Sequence, residues 1–241
     1  MQLLDSDLFV VMRQLEDKKL VIHPDDLKSM TYQLVDAVKF MHDSGYVHCD
    51  IKPENIAMES ASFEITSDPS GQNHAKFVSP KVYLFDFNSS CHQEHMKDIG
   101  PLGTVLYQSP EVLFNHTSST PRDAWALGLA LYELCYIHAA FAPDYFMGGV
   151  GGPEHKKFID VTLGPIPPHI LSDPNQLEQT NLSDKSNAWA EHFQDTLRTE
   201  TIFNQFLLQL LLVDPEERMS MEEALEDPYI SDLAQKRIPS F

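Results

Sequence analysis

The chain has 241 residues, 42% of them hydrophobic, and a formal net charge of -19. That apolar share can fill the core of one sizeable domain, which excludes global disorder. The acidity argues against nucleic acid, whose phosphates need Lys and Arg to displace counterions, and favours basic proteins as partners or substrates.

In chain order, Asp5 to Leu15 is predicted as a short helix, with Leu8, Val11, Met12 and Leu15 on one side. The acids among its apolar residues, and the lack of a basic leader, exclude a signal peptide. Pro24, Asp25 and Asp26 open a longer helix, because proline fits a first turn and acids complement its positive end. Its apolar face is Leu27, Met30, Leu34, Val35, Val38 and Met41, and Gly45 ends it. Tyr46 to His48 and Ile56 to Met58 are predicted as brief strands, residues 59–80 as a loop or extended hairpin, and Lys81 to Phe87 as a strong strand. Trp125 to Tyr136 is apolar nearly all round, the pattern of a buried helix. Residues 139–185 are rich in Gly, Pro and Asn and are predicted as a long irregular insertion. Helices resume near Ser186–Leu197, Thr201–Leu212 and Ser220–Glu226. One mainly α domain follows, with a few short strands in its first half. No apolar run approaches the ~20 residues of a membrane span. The cysteines Cys49, Cys91 and Cys135 lack a metal-ligand spacing, which fits reduced thiols in the cytoplasm or nucleus.

Five segments carry chemistry. His48-Cys49-Asp50-Ile51-Lys52-Pro53-Glu54-Asn55 puts an acid, a cation and an amide on one short loop. Asp86-Phe87-Asn88 closes the strong strand, and Gly103-Thr104-Val105-Leu106-Tyr107-Gln108-Ser109-Pro110-Glu111 follows. Asp123-Ala124-Trp125-Ala126-Leu127-Gly128 heads the buried helix, and Arg218 stands in VDPEERMS. In this order they resemble the catalytic loop, D-F-G, A-P-E, D-x-W-x-x-G and late arginine of eukaryotic protein kinases. Phosphoryl transfer asks a protein mainly to position groups and to neutralise charge, and these residue types do both.

The resemblance implies an α+β kinase fold, C-terminal lobe only, binding ATP and Mg²⁺ and acting on a protein hydroxyl. It implies that Asp50 orients the hydroxyl and takes its proton, that Lys52 faces the γ-phosphate, and that Asn55 and Asp86 hold metal. Ala57 would lie under the adenine. His48, Phe87, Thr104, Glu111, Asp123 and Arg218 would be structural supports, with Asp123 bonded to catalytic-loop backbone and Arg218 paired with Glu111. Residues 86–111 would form the activation segment. HCDIKPEN, DFNSSC and YQSPEVL are similar to segments of dual-specificity tyrosine-regulated kinases and homeodomain-interacting kinases, and LGPIPPHI resembles the insert of CDC-like kinases, all in the CMGC group. Lys52 and Thr104 imply Ser or Thr as the acceptor.

Several features depart from the pattern. Met1 to Leu4 matches the hinge between kinase lobes, and residues 5–237 match the lower lobe. No Gly-rich loop or V-A-I-K lysine precedes them, and Gly148 to Gly152 is read as a flexible loop. Negligible phosphotransfer is therefore expected of the isolated chain. The alternative is a pseudokinase or truncated lobe that binds proteins. Cys49 replaces the arginine that docks an activation-loop phosphate, Gln108 replaces another, and Asn88 replaces a glycine, losing cheap access to positive φ. Of the eleven histidines, only His48 receives a place in the site.

Overall fold

In the computed structural model, residues 4–98, 101–114, 119–141, 146, 149–171 and 177–235 are described. Met1 to Leu3 of the hinge match, Gly148 of the glycine run and part of the 139–185 stretch lie outside them.

The N-terminal half interleaves helices with short strands. Strand β1 (Ser6–Asp7) leads into α1 (Leu8–Asp17), whose first turn is capped by the Asp7 carboxylate accepting from Val10 N. The helix begins three residues later than the sequence predicts because Ser6 and Asp7 pair with Met58 and Ala57. After β2 (Val21–Ile22) comes α2 (Pro24–Asp43), with Pro24 in its first turn and Asp25 and Asp26 at its positive end. It buries Leu27, Met30, Leu34, Val35 and Val38. Strands β3 (Tyr46–Val47) and β4 (Ile56–Met58) flank the catalytic-loop match.

Residues 59–80 form an antiparallel hairpin of β5 (Phe63–Ser67) and β6 (Asn73–Phe77), closed by an exposed turn in which Asp68 accepts from Ser70 N and Gln72 N. The hairpin is tied to α2 by the buried Asp26, which accepts from Phe77 N at 2.7 Å and Lys76 Nζ at 2.6 Å. Strand β7 (Val82–Leu84) pairs with β4, and β8 (Cys91–His92) pairs with β3. The strong strand predicted to Phe87 stops at Leu84. Asp86 takes a left-handed conformation (φ 62°), which turns the chain out of the sheet and into a 3₁₀ turn at Phe87–Ser89.

The C-terminal half is helical: α3 (Pro110–Leu113), α4 (Pro121–Tyr136), α5 (Pro153–Thr162), α6 (Asp184–Arg198), α7 (Ile202–Leu210), α8 (Met221–Glu226) and α9 (Ser231–Gln235). Helix α4 is buried from Arg122 through Leu134 and forms the axis of the core. Side chains such as Trp125, Leu127 and Leu131 contribute about 1.5–3 kcal/mol each by burial. A Cβ on Gly128 would come within 2.9 Å of Leu211, so its absence lets α4 and α7 pack closely. Helix α5 corrects the irregular reading of 139–185: Pro153 starts it, and Phe158 and Ile159 anchor it with no exposed surface. Among the described residues no helix is long and apolar enough to cross a membrane.

Candidate active site

The loop between β3 and β4 is held from below by one carboxylate. Asp123, in the first turn of α4, accepts from His48 N at 2.7 Å and Cys49 N at 2.9 Å, and its Oδ2 lies 3.0 Å from His42 Nε2. Helix α4 thus fixes the loop backbone, with Cys49 in a left-handed conformation (φ 69°) that non-glycine residues seldom adopt. The His48 ring is buried, packs edge-on against Phe87 at 5.3 Å, lies 3.2 Å from Phe85 O through Nε2, and accepts from Asp50 N through Nδ1.

Above this support the charged groups gather. Lys52 Nζ lies 3.0 Å from Asp50 Oδ2 and donates to Thr104 Oγ1 at 2.7 Å. Thr104 gives both its backbone N–H (2.8 Å) and its hydroxyl (2.7 Å) to Asp50 Oδ1. Asn55 Nδ2 donates to the Asp50 carbonyl at 2.8 Å and to Asp50 Oδ2 at 3.0 Å. Burial alone would raise the Asp50 carboxyl, but hydrogen bonds from Thr104 and Lys52 outweigh it and hold it below the usual range. Asp50 is therefore ionised at neutral pH.

Asp86 arrives through the sheet. Strand β7 pairs with β4 (Leu84 opposite Ile56), and Phe85 N donates to Asn55 O at 3.1 Å, which brings the Asp86 backbone alongside Asn55. Asn88 Nδ2 donates to Asp86 Oδ1 at 2.8 Å. The freedom that Asn88 lacks relative to glycine is not called on: the positive φ falls on Asp86, and Asn88 braces Asp86 from within the 3₁₀ turn. Ala57 is buried in β4 between Asp7 and Tyr83.

The segment after Asp86 returns to the loop at Gly103. Its φ is +84°, and a Cβ there would stand 1.9 Å from Cys49 O, so only glycine permits this backbone-on-backbone approach. Beyond it, Arg218 holds Glu111 in a two-point pair, Nη1–Oε1 at 2.9 Å and Nη2–Oε2 at 3.0 Å. Arg218 also donates to the carbonyls of Leu212, Pro121 and Val213, so the buried guanidinium is fully engaged. Burial pushes the Glu111 carboxyl up, but the adjacent Arg218 prevails and keeps it low.

The sequence reading missed His42, whose role depends on Asp123, 81 residues away, and Glu133. The Glu133 carboxylate accepts from Tyr107 Oη at 2.9 Å and Ala140 N at 3.3 Å, and burial pushes its pKa up to about 8. The spacing of Glu133 from Asp123 along α4 was available in the sequence, but nothing there showed that its side chain is buried under Tyr107.

Magnesium prefers oxygen ligands and keeps part of its shell for phosphate and water. Asn55 commits its nitrogen to Asp50, leaving Oδ1 as a donor, and Asp86 has a second carboxylate oxygen beyond the one held by Asn88. Among the described residues no group of three or more His, Cys, Asp or Glu is placed to hold a metal by itself. That donor set fits a metal shared between protein and phosphate rather than one caged by protein.

A helical domain with this acid, cation and amide network on a loop braced by a buried Asp, and with a Glu–Arg pair under the following segment, has the organisation of a protein kinase. The protein kinase domain family model matches residues 3–230, and the chain belongs to that family. It is 26% identical over 234 residues to human dual specificity protein kinase CLK1, covering 89% of this chain and 46% of that protein. It is 29% identical over 249 residues to serine/threonine-protein kinase AFC1 of Arabidopsis thaliana, covering 90% of this chain and 51% of that protein. The chain thus spans about half the length of these curated relatives. A crystal structure of a kinase domain superposes with a TM-score of 0.76 at 20% identity, covering 94% of this chain and 71% of that one, which shows the shared fold.

Proposed function

We propose that this chain is the lower lobe of a serine/threonine protein kinase similar to the CLK and AFC kinases, which transfers the γ-phosphate of ATP to a protein hydroxyl once an upper lobe covers the nucleotide. The observation that carries the reading is the network in which Lys52, Thr104 and Asn55 all converge on Asp50. Asp50, held ionised, would align an incoming Ser or Thr hydroxyl and accept its proton as the hydroxyl attacks. Lys52, poised between Asp50 and Thr104, would offer its charge to the transferring group. Asn55 and Asp86 would hold Mg²⁺, which when bound neutralises phosphate charge. Ala57 would form a small floor under the adenine. The acidic character of the chain favours basic protein substrates.

The lower-lobe reading is supported by an open groove of about 1080 Å³ between α2 and β7, lined by Phe40, Met41, Tyr46, Val82, Leu84 and Phe87. Phe40 is 73% and Phe87 53% exposed, unusual for large apolar side chains standing together. An upper lobe, from a longer form of the protein or from a partner, would cover them. The same groove favours the second reading, a protein-binding module without catalysis.

The two separate experimentally. Placed after the upper lobe of a CLK relative, the chain is expected to phosphorylate Ser or Thr in a basic protein, with the activity abolished by Asp50→Ala. On the lower-lobe reading the isolated chain is expected to be inactive, because positioning supplies most of the rate and the nucleotide would lack its cover. No Asp50-dependent transfer from the fused protein, despite Mg-dependent ATP binding, would leave the binding-module reading standing.

A further inference from the structure

Arg122 occupies a place that costs energy twice. It stands in the first turn of α4, where the helix dipole disfavours a cation, and it is only 5% exposed. Among the described residues no carboxylate lies within 4.0 Å of its guanidinium; instead Nη2 donates to the Leu102 carbonyl at 2.6 Å. Gln108 Nε2 donates to the same carbonyl at 3.1 Å and to Gly103 O at 3.4 Å. The two donors meet beside Cys49, around a cavity of only about 10 Å³ lined by Cys49, Asp50, Thr104, Gln108, Arg122 and Asp123, room for one water at most; both carboxylates face it from beyond ion-pair distance of the guanidinium. The Cys49 thiol is pushed up to about 12, chiefly by burial, so it supplies no anion to balance the guanidinium. The nearby Arg122 charge only partly opposes that rise.

Cys49 stands where the general kinase H-R-D loop carries arginine, and Gln108 where the similar dual-specificity segments do, so neither position supplies a cation here. The guanidinium arrives from a third element. Two residues past the clamped carbonyl, Thr104 gives both of its donors to Asp50.

We propose that Arg122 is a positioning residue which, together with Gln108, clamps the Leu102 carbonyl and thereby keeps the Thr104 donors on Asp50, so that the segment is assembled without a phosphate. The proposal rests on the kinase reading only for the role of Asp50. Its test uses neither nucleotide nor substrate, so a chain without phosphotransfer can still pass it.

The experiment is residue-resolved amide hydrogen exchange by NMR on the full chain. In Arg122→Met, exchange of the Thr104 amide is expected to rise about tenfold or more, the loss of one charge-assisted hydrogen bond, while α2 amides around Leu34 stay unchanged. Arg122→Lys, which keeps a donor and loses the fork, is expected to recover most of that protection. Gln108→Leu, which leaves α4 intact, should give a smaller rise at the same amide, about threefold, and decides the matter should Arg122→Met not fold. Unchanged Thr104 exchange in the folded variants would overturn the proposal. So would an equal rise at Thr104 and Leu34, the mark of a purely structural role.

Discussion

The frame beneath the His48–Asn55 loop and the groove between α2 and β7 are built in opposite ways. Below, charged groups are buried and bonded: Asp123 takes two backbone amides, and Arg218 spreads its donors over Glu111 and three carbonyls. Between α2 and β7, Phe40 and Phe87 stand open to solvent around a wide groove. In this frame the desolvated Asp123, Glu111 and Arg218 each meet partners within the same fold. The groove instead carries exposed apolar surface.

The sharpest way to break this contrast is to remove one side of the lower frame. Glu111→Ala leaves the Arg218 guanidinium buried without its acid and is expected to cost about 3–5 kcal/mol in urea unfolding. A loss no larger than that of a surface substitution would mean the frame is not self-contained. Asp123→Asn keeps one acceptor oxygen but turns an NH₂ group toward a loop amide. It is expected to cost about 1–3 kcal/mol by the same measurement, with the helix content of α4 retained in circular dichroism.

The third measurement follows pH. Burial raises the Glu133 carboxyl to about 8, well above its ordinary 4.5. Between those values the folded chain holds a proton that the unfolded chain has released, so this group's contribution is fully present below 4.5 and is lost as pH rises towards 8. The difference in stability between wild type and Glu133→Gln should change by about 1.4 kcal/mol per pH unit in that window. A flat difference would mean that the hydrogen bonds from Tyr107 and Ala140 keep the carboxylate ionised. The smallest effect is expected in the groove between α2 and β7. Phe40→Glu should alter folding stability by no more than about 0.5 kcal/mol yet reduce self-association in sedimentation experiments. A large loss of stability would show Phe40 to be core after all.

Sequence periodicity located α2 and α4, because each presents a long, regular apolar pattern. Helix α5 was hidden, since ten residues behind a glycine-rich run and a proline look like loop until Phe158 and Ile159 meet the core. The early end of β7 was hidden too: only the left-handed Asp86 stops it, and no residue type there signals one. The candidate site was legible where its residues are contiguous, as in His48 to Asn55. It was illegible where a role depends on a partner distant in sequence. His42 is a polar residue near a helix end until Asp123 reaches it, and Arg122 is an ordinary surface cation until Leu102 lies over it. Motifs record which groups are present, whereas desolvation is a property of the folded neighbourhood.

The hairpin of β5 and β6 offers a practical handle. It is anchored through Asp26 at its base, while at its tip a side chain added at Gly71 would meet no atom within 4 Å. Exposed, polar loop tips of this kind accept insertions when their backbone carries no long-range bonds. A fluorophore or affinity tag grafted at Ser70–Gly71 would report on the domain, or immobilise it, while leaving Asp50 and its neighbours untouched.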